Sequence, residues 1–156
     1  MIILGIDPGT ATTGYGVIEK SGQNVKHITH GIITTSKTDD MPIRLLAVYT
    51  ELNRLIDLHH PEVIATEHLF FSKNVTTGLQ VSRTVGVILL IAAQRVIPWV
   101  EYRPAEVKMA VVGYGAAEKK QVQFMVKQIL SLATLPKSDD AADALALAIC
   151  HAHSIR

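Results

Sequence analysis

Cysteine is all but missing. The one thiol, Cys150, excludes an internal disulfide and suits a reducing compartment. Long apolar runs are missing too: the longest, residues 85–93, falls far short of the ~20 residues that span a bilayer. No leader peptide is legible, because Met1 runs straight into an apolar segment closed by Asp7. Neither sign of charge dominates, and a formal net charge of +1 assigns no partner by itself. Linkers, repeats and low-complexity stretches are equally absent. Residues 1–156, 48% hydrophobic, therefore read as a single domain with a real core. The expectation is a cytoplasmic protein that does not enter a membrane.

What is present is a set of acids in informative places. Ile2-Ile3-Leu4-Gly5-Ile6 is too apolar for a surface and reads as a buried strand that ends on Asp7. Val63-Ile64-Ala65-Thr66 is a second such run, closed by Glu67. Carboxylates at strand ends of an α/β sheet face the crevice where ligands bind. Near the end of the chain, Asp140 and Asp143 are three apart, so a helix there presents both on one face. Asp139, four before Asp143, competes with Asp140 for that role, although its simpler one is a first-turn acid favoured by the helix dipole. Acidic oxygens converging in this way repel one another unless a divalent cation neutralises them, and magnesium favours carboxylate oxygen. Four unrelated surface acids are the bland alternative.

The basic residues are unevenly spread. Residues 73–137 hold nine basic groups, Lys73, Lys108 and Lys119 among them, against three acids, a net of +6. An acidic pocket within a basic surround suits a metal-dependent enzyme acting on a polyanion. Solvated lysines on helix faces would give the same count.

The element order supports an α/β architecture. Residues 2–7, 14–20 and 25–35 read as strands, the last two joined across the turn-rich Ser21-Gly22-Gln23-Asn24. A helix capped by Asp40, with Pro42 in its first turn, runs to His59, and a strand follows at 63–67. A long helix over 74–95 is apolar nearly all round, so it must bury more than one face, within one subunit or against a partner. A short strand at 98–102, a helical turn at 103–111, a helix over 118–132 and a final helix capped by Ser138 complete the chain. Ala141, Leu145, Ala148 and Ile149 turn one side of that last helix to the core. Three antiparallel strands followed by alternating strands and helices predict a mixed sheet with helices on both faces. His151 and His153, two apart on a helix, diverge and argue against a zinc site.

Four stretches, in order and nearly end to end, resemble the RuvC family of Holliday-junction resolvases. They are GIDPGTATTGYGVIE from Gly5, TEHLFFSKN from Thr66, EYRPAEVKMAVVGYGAAEKKQVQFMV from Glu101 and DDAADALALAICHAH from Asp139. The resemblance implies a ribonuclease H-like fold, a mixed five-stranded sheet flanked by helices. It implies a homodimer that cuts four-way DNA junctions by paired symmetric nicks in recombination and repair. Asp7, Glu67, Asp140 and Asp143 would be the catalytic, metal-binding acids, the family's D-A-A-D spacing favouring Asp140 over Asp139. Phe70, Lys73, Lys108 and Lys119 match residues near the DNA. A branch-migration helicase of the RuvA and RuvB type would be a partner.

The sequence departs from the family in three places. Phe71 puts a second ring beside Phe70, Ser82-Arg83-Thr84-Val85-Gly86 replaces a GQARG-like run, and His68 is an unusual neighbour for the glutamate. Implied with the site are two magnesium ions, manganese substituting, about 3.5–4 Å apart across the scissile phosphate. Asp7-Pro8-Gly9-Thr10 also resembles the phosphate loop of actin-like ATPases and sugar kinases, but those need a second domain and a second loop, and neither fits here. A junction-binding protein with a dead site would not need all four acids.

Overall fold

The computed structural model describes residues 1–68 and 75–155, with the side chains of 75–77 left aside. Three strands open the chain: β1 (Ile2–Asp7), β2 (Thr12–Ser21) and β3 (Asn24–Thr34). Helix α1 (Met41–His59), strand β4 (Val63–Glu67), helix α2 (Val75–Arg95) and strand β5 (Trp99–Tyr102) follow. Helices α3 (Pro104–Val112), α4 (Lys119–Ile129) and α5 (Asp139–Ser154) end it. The sheet runs β3-β2-β1-β4-β5. Its first three strands are antiparallel, and β4 and β5 join parallel, the mixed sheet that the element order predicts. Gly22, at φ +60°, makes the tight β2–β3 turn, a conformation glycine adopts without a Cβ penalty.

Period-two alternation sorts the strands onto two cores. Leu4, Ile6, Val17 and Ile64 pack with Val48, Leu52, Leu55, Ile88 and Ile91 of α1 and α2. Ile3, Ile18 and Val63 point the other way, onto α5, α3 and α4. Asp7 keeps step with Ile3 and Gly5, and Glu67 with Val63 and Ala65, so both acids emerge on the α5 face.

Helix α5 is more deeply placed than its sequence suggested. From Ala141 to Ala152 every residue except Asp143 is buried, because α5 lies between the sheet and a further layer of α3 and α4. Small residues make that possible on both sides. A Cβ on Gly5 would collide with the Ala144 carbonyl oxygen, one on Gly14 with the Asp140 carbonyl oxygen, and one on Gly16 with the Leu145 side chain. The α5 backbone thus rests directly on β1 and β2. Tyr102 and His151 share a 2.7 Å hydrogen bond at the far end.

Several boundaries and caps differ from expectation. Strand β2 starts two residues early, at Thr12, and α4 stops at Ile129, with Ser131 in a left-handed turn (φ +50°). Asp40 and Ser138 occupy the N-cap positions of α1 and α5, but neither side chain bonds the helix. Side-chain capping occurs at α3 and α4 instead: Arg103 N donates to Glu106 Oε2 (2.6 Å) and Glu118 N to Gln121 Oε1 (2.8 Å). Full burial of α2 within one chain is not found. It buries Val85, Ile88, Ile91 and Ala92 and leaves Leu79, Leu89 and Leu90 exposed.

Candidate active site

The cleft forms where β1 and β4 end beside the first turns of α5. Asp7, Glu67, Asp143, Lys108 and Lys119 line it, with Pro104, Val107, Val122, Ala146 and Leu147 as an apolar rim, around a volume of about 260 Å³. The parallel β1–β4 pairing sets Ile6 beside Thr66, which brings the next residues of the two strands, Asp7 and Glu67, side by side. Gly14, paired with Asp7 across the β1–β2 ladder, lets the Asp140 turn of α5 approach the same spot.

Electrostatics mark these acids as one unit. Burial, then the charges of Asp143, Glu67 and Asp140, raise the Asp7 pKa to about 7, against the relief given by Lys119. Burial and Asp143 raise Glu67, with Lys119 and Lys108 opposing. Burial raises Asp143, and a hydrogen bond from Lys119 counters it. Burial works against the Lys119 charge, but its bond to Asp143 and the nearby carboxylates hold it above the ordinary lysine range. Its Nζ lies 3.0 Å from Asp143 and 3.4 Å from Asp139.

The two neighbouring aspartates differ in burial and partners, although neither is among the residues that line the cleft. Asp140 is partly buried and adds its field to Asp7, which Asp139 does not, while both aspartates raise Asp143. Asp139 is exposed and turned to α4, where Gln123 Nε2 donates to its Oδ1 at 2.8 Å and pulls its pKa down, with Lys119 helping. This arrangement favours Asp140 as the fourth member of the cluster.

Among the described residues, no three His, Cys, Asp or Glu side chains are grouped so that they could hold an ion as they stand. The donor set still fits a hard divalent cation: oxygen donors, half-buried, mutually repelling, with one lysine as partial counter-charge. Asp7, Glu67, Asp140 and Asp143 are the groups that could hold it.

Sequence reading missed the supports. Thr10, just after Asp7, is buried; its hydroxyl donates to the Gln80 carbonyl (2.8 Å) and lies 3.3 Å from the Thr84 hydroxyl. Thr35 Oγ1 donates to the Thr10 carbonyl (2.5 Å) and accepts from Arg44 Nε (2.9 Å). Thr13 donates to the Gly9 carbonyl at 2.6 Å. The loop after Asp7 is thereby tied to Thr35 just past β3, to α1 and to α2. His68 and Glu101 stand 3.0 Å apart beside Glu67. No spacing rule announces such hydroxyl bridges. Phe70, Phe71 and Lys73 lie outside the described residues. Among the described residues, no helix is long and apolar enough to cross a membrane.

Comparison with known proteins shows the family and the fold. The family model for crossover junction endodeoxyribonuclease RuvC matches residues 3–151. The crossover junction endodeoxyribonuclease RuvC of Syntrophomonas wolfei is 55% identical over 156 residues, all of this chain and 91% of that protein. That of Pseudothermotoga lettingae is 52% identical over 151 residues, 97% of this chain and 93% of its own. Among solved structures, T. thermophilus RuvC in complex with a Holliday junction substrate superposes with a TM-score of 0.93 at 31% identity, covering 99% of this chain and 94% of its own.

Proposed function

This chain belongs to the RuvC family of crossover junction endodeoxyribonucleases, and we propose that the cleft between β1, β4 and α5 is where it cuts. Its fold is ribonuclease H-like, and it is a metal-dependent nuclease that resolves four-way DNA junctions by hydrolysing phosphodiester bonds in recombination and repair. One observation carries the site assignment. Asp7 lies buried among three other carboxylates, which with burial raise its pKa to about 7, and a bound cation would offset that repulsion.

We assign Asp7, Glu67, Asp140 and Asp143 as the catalytic and metal-binding acids. Their hard oxygens favour magnesium, manganese being a substitute, and four carboxylates suffice for two ions. Bound there, the metal supplies charge neutralisation and activation of the attacking water. The chain's own groups do the rest. Strand ends hold Asp7 and Glu67 rigidly, and the α5 turn pressed onto Gly14 fixes Asp140 and Asp143 opposite them. Lys108 and Lys119 meet the charge of the phosphate. The apolar rim lowers the local polarity and so strengthens the electrostatic contacts beside it. Phe70, three residues past Glu67, is assigned to stacking on an opened base, and Lys73 to the DNA backbone.

Paired nicks need two centres related by a two-fold axis, and we assign that axis to α2. On its open side Leu79, Arg83, Gly86, Leu90 and Ala93 recur at alternating spacings of four and three, with Leu79 and Leu90 both 53% exposed. Such a seam suits a second copy of the same helix. The protein acts in the cytoplasm, with a branch-migration helicase of the RuvA and RuvB type as its partner.

A synthetic four-way junction tests the function. Paired nicks on opposed strands are expected with magnesium, none in chelator, and little cutting of linear duplex. Persistent cutting in chelator, or equal cutting of duplex, would contradict it.

A further inference from the structure

Lys119 has two carboxylate partners, and only one is among the four cleft acids. Its ammonium lies 3.0 Å from Asp143 Oδ2 and 3.4 Å from Asp139 Oδ2. Asp139 is 67% exposed, and its carboxylate is turned towards α4. Its other oxygen, Oδ1, accepts the hydrogen bond from Gln123. Lys119 and Gln123 are four apart at the start of α4 and project from one face, while Asp139 opens α5. Two side chains of α4 therefore grip the first residue of the helix that carries Asp140 and Asp143.

From this arrangement we infer that Asp139 is a positioning residue: a second seat that keeps Lys119 at the mouth of the cleft when a divalent cation claims Asp143. The inference rests on the reading of the cleft as the cutting centre. An ammonium and a divalent ion repel, so a cation on Asp143 weakens the hold of that carboxylate on Lys119. If Asp143 were its one ion-pair partner, the displaced lysine would have only water or Asp7 and Glu67, which the cation also claims, to turn to. It would then either compete with the ion or leave the site. Asp139, with Oδ1 held by Gln123 and Oδ2 facing Lys119, turns that displacement into a short move between neighbouring oxygens. The lysine stays within reach of the phosphate. A mere first-turn acid stabilising the α5 dipole would have no such dependence on Lys119.

A double-mutant cycle between D139N and K119M tests the link. It is read by calorimetric binding of manganese to the free protein and by steady-state cutting of a four-way junction. D139N alone should weaken manganese binding about two- to fivefold, the size an exposed ion pair carries, and lower kcat more than it raises KM. D139E should restore most of both. In the K119M background, D139N should change manganese binding by less than about a third of that effect, since coupled residues do not act additively. Equal weakening in both backgrounds would make Asp139 a bulk charge or a direct ligand and overturn the inference, as would a D139N protein unchanged in both readouts. D143N separates this from the parent reading. Normal manganese binding and cutting by D143N would sink the cleft assignment itself, whereas their loss beside an unchanged D139N sinks only the second seat.

Discussion

Asp7 bears a large electrostatic cost. Its carboxyl titrates near 7 in the folded chain and near 3.8 when unperturbed, so between those values the folded form holds the extra proton. Stability without metal must therefore fall as pH rises through that window. Asp7→Asn removes the charge. In chelator at pH 8 it should melt above the parent, by on the order of a few kcal/mol at most, and the gap should close towards pH 4. Melting curves at several pH values check this; a gap that ignores pH would contradict the burial argument. Magnesium should in turn raise the parent's melting temperature more than the variant's. At this scale the sequence was informative wherever a residue closes an apolar run or keeps a helical spacing, as Asp7, Glu67 and Asp143 do. It could not separate Asp139 from Asp140 by spacing, because that depends on which way the first turn of α5 faces. Gln123 and the Thr10–Thr84 pair carry no periodic signal, since their roles exist only across elements.

Among the elements, α5 decides the site. Its placement depends on Gly5, Gly14 and Gly16 leaving the strands bare, and on Ala141, Ala144 and Ala148 letting the helix backbone come close. An alanine run reads as a strong helix but does not reveal that it will be buried on nearly every side. Gly14→Ala would push its new methyl into the Asp140 carbonyl, a backbone atom that cannot swing away. The expected cost is about 1–3 kcal/mol of stability, with a loss of cutting larger than the loss of fold, because Asp140 moves off Asp7. Melting and junction cleavage measured together check it; normal cutting by a stably folded Gly14→Ala protein would show that α5 has slack. The strands were readable from their apolar runs and the Gly22 turn. The caps of α1 and α5 were not, because Asp40 and Ser138 satisfy the positional rule while their side chains make no bond to the helix.

As a whole, the molecule is a mixed sheet with α1 and α2 on one face and the acidic cleft with α5, α3 and α4 on the other. The mixed pairing was legible because a hairpin and a turn force β1, β2 and β3 antiparallel, and helical crossovers then make β4 and β5 parallel, whereas the order of the strands was not. The open seam of α2 is the feature that a single chain leaves unfinished. Leu90→Glu should convert a dimer to a monomer in light scattering and replace paired nicks by single ones. A variant that stays dimeric with paired nicks would move the two-fold axis elsewhere. The most direct test of the account compares cutting with binding across the amide variants of the cleft acids. With magnesium, Asp7→Asn, Glu67→Gln, Asp140→Asn and Asp143→Asn should each lose nearly all cutting of a four-way junction while binding it about as tightly as the parent. Near-normal cutting by Asp140→Asn, with cutting lost in Asp139→Asn, would place the centre on the wrong aspartate and contradict the geometry described.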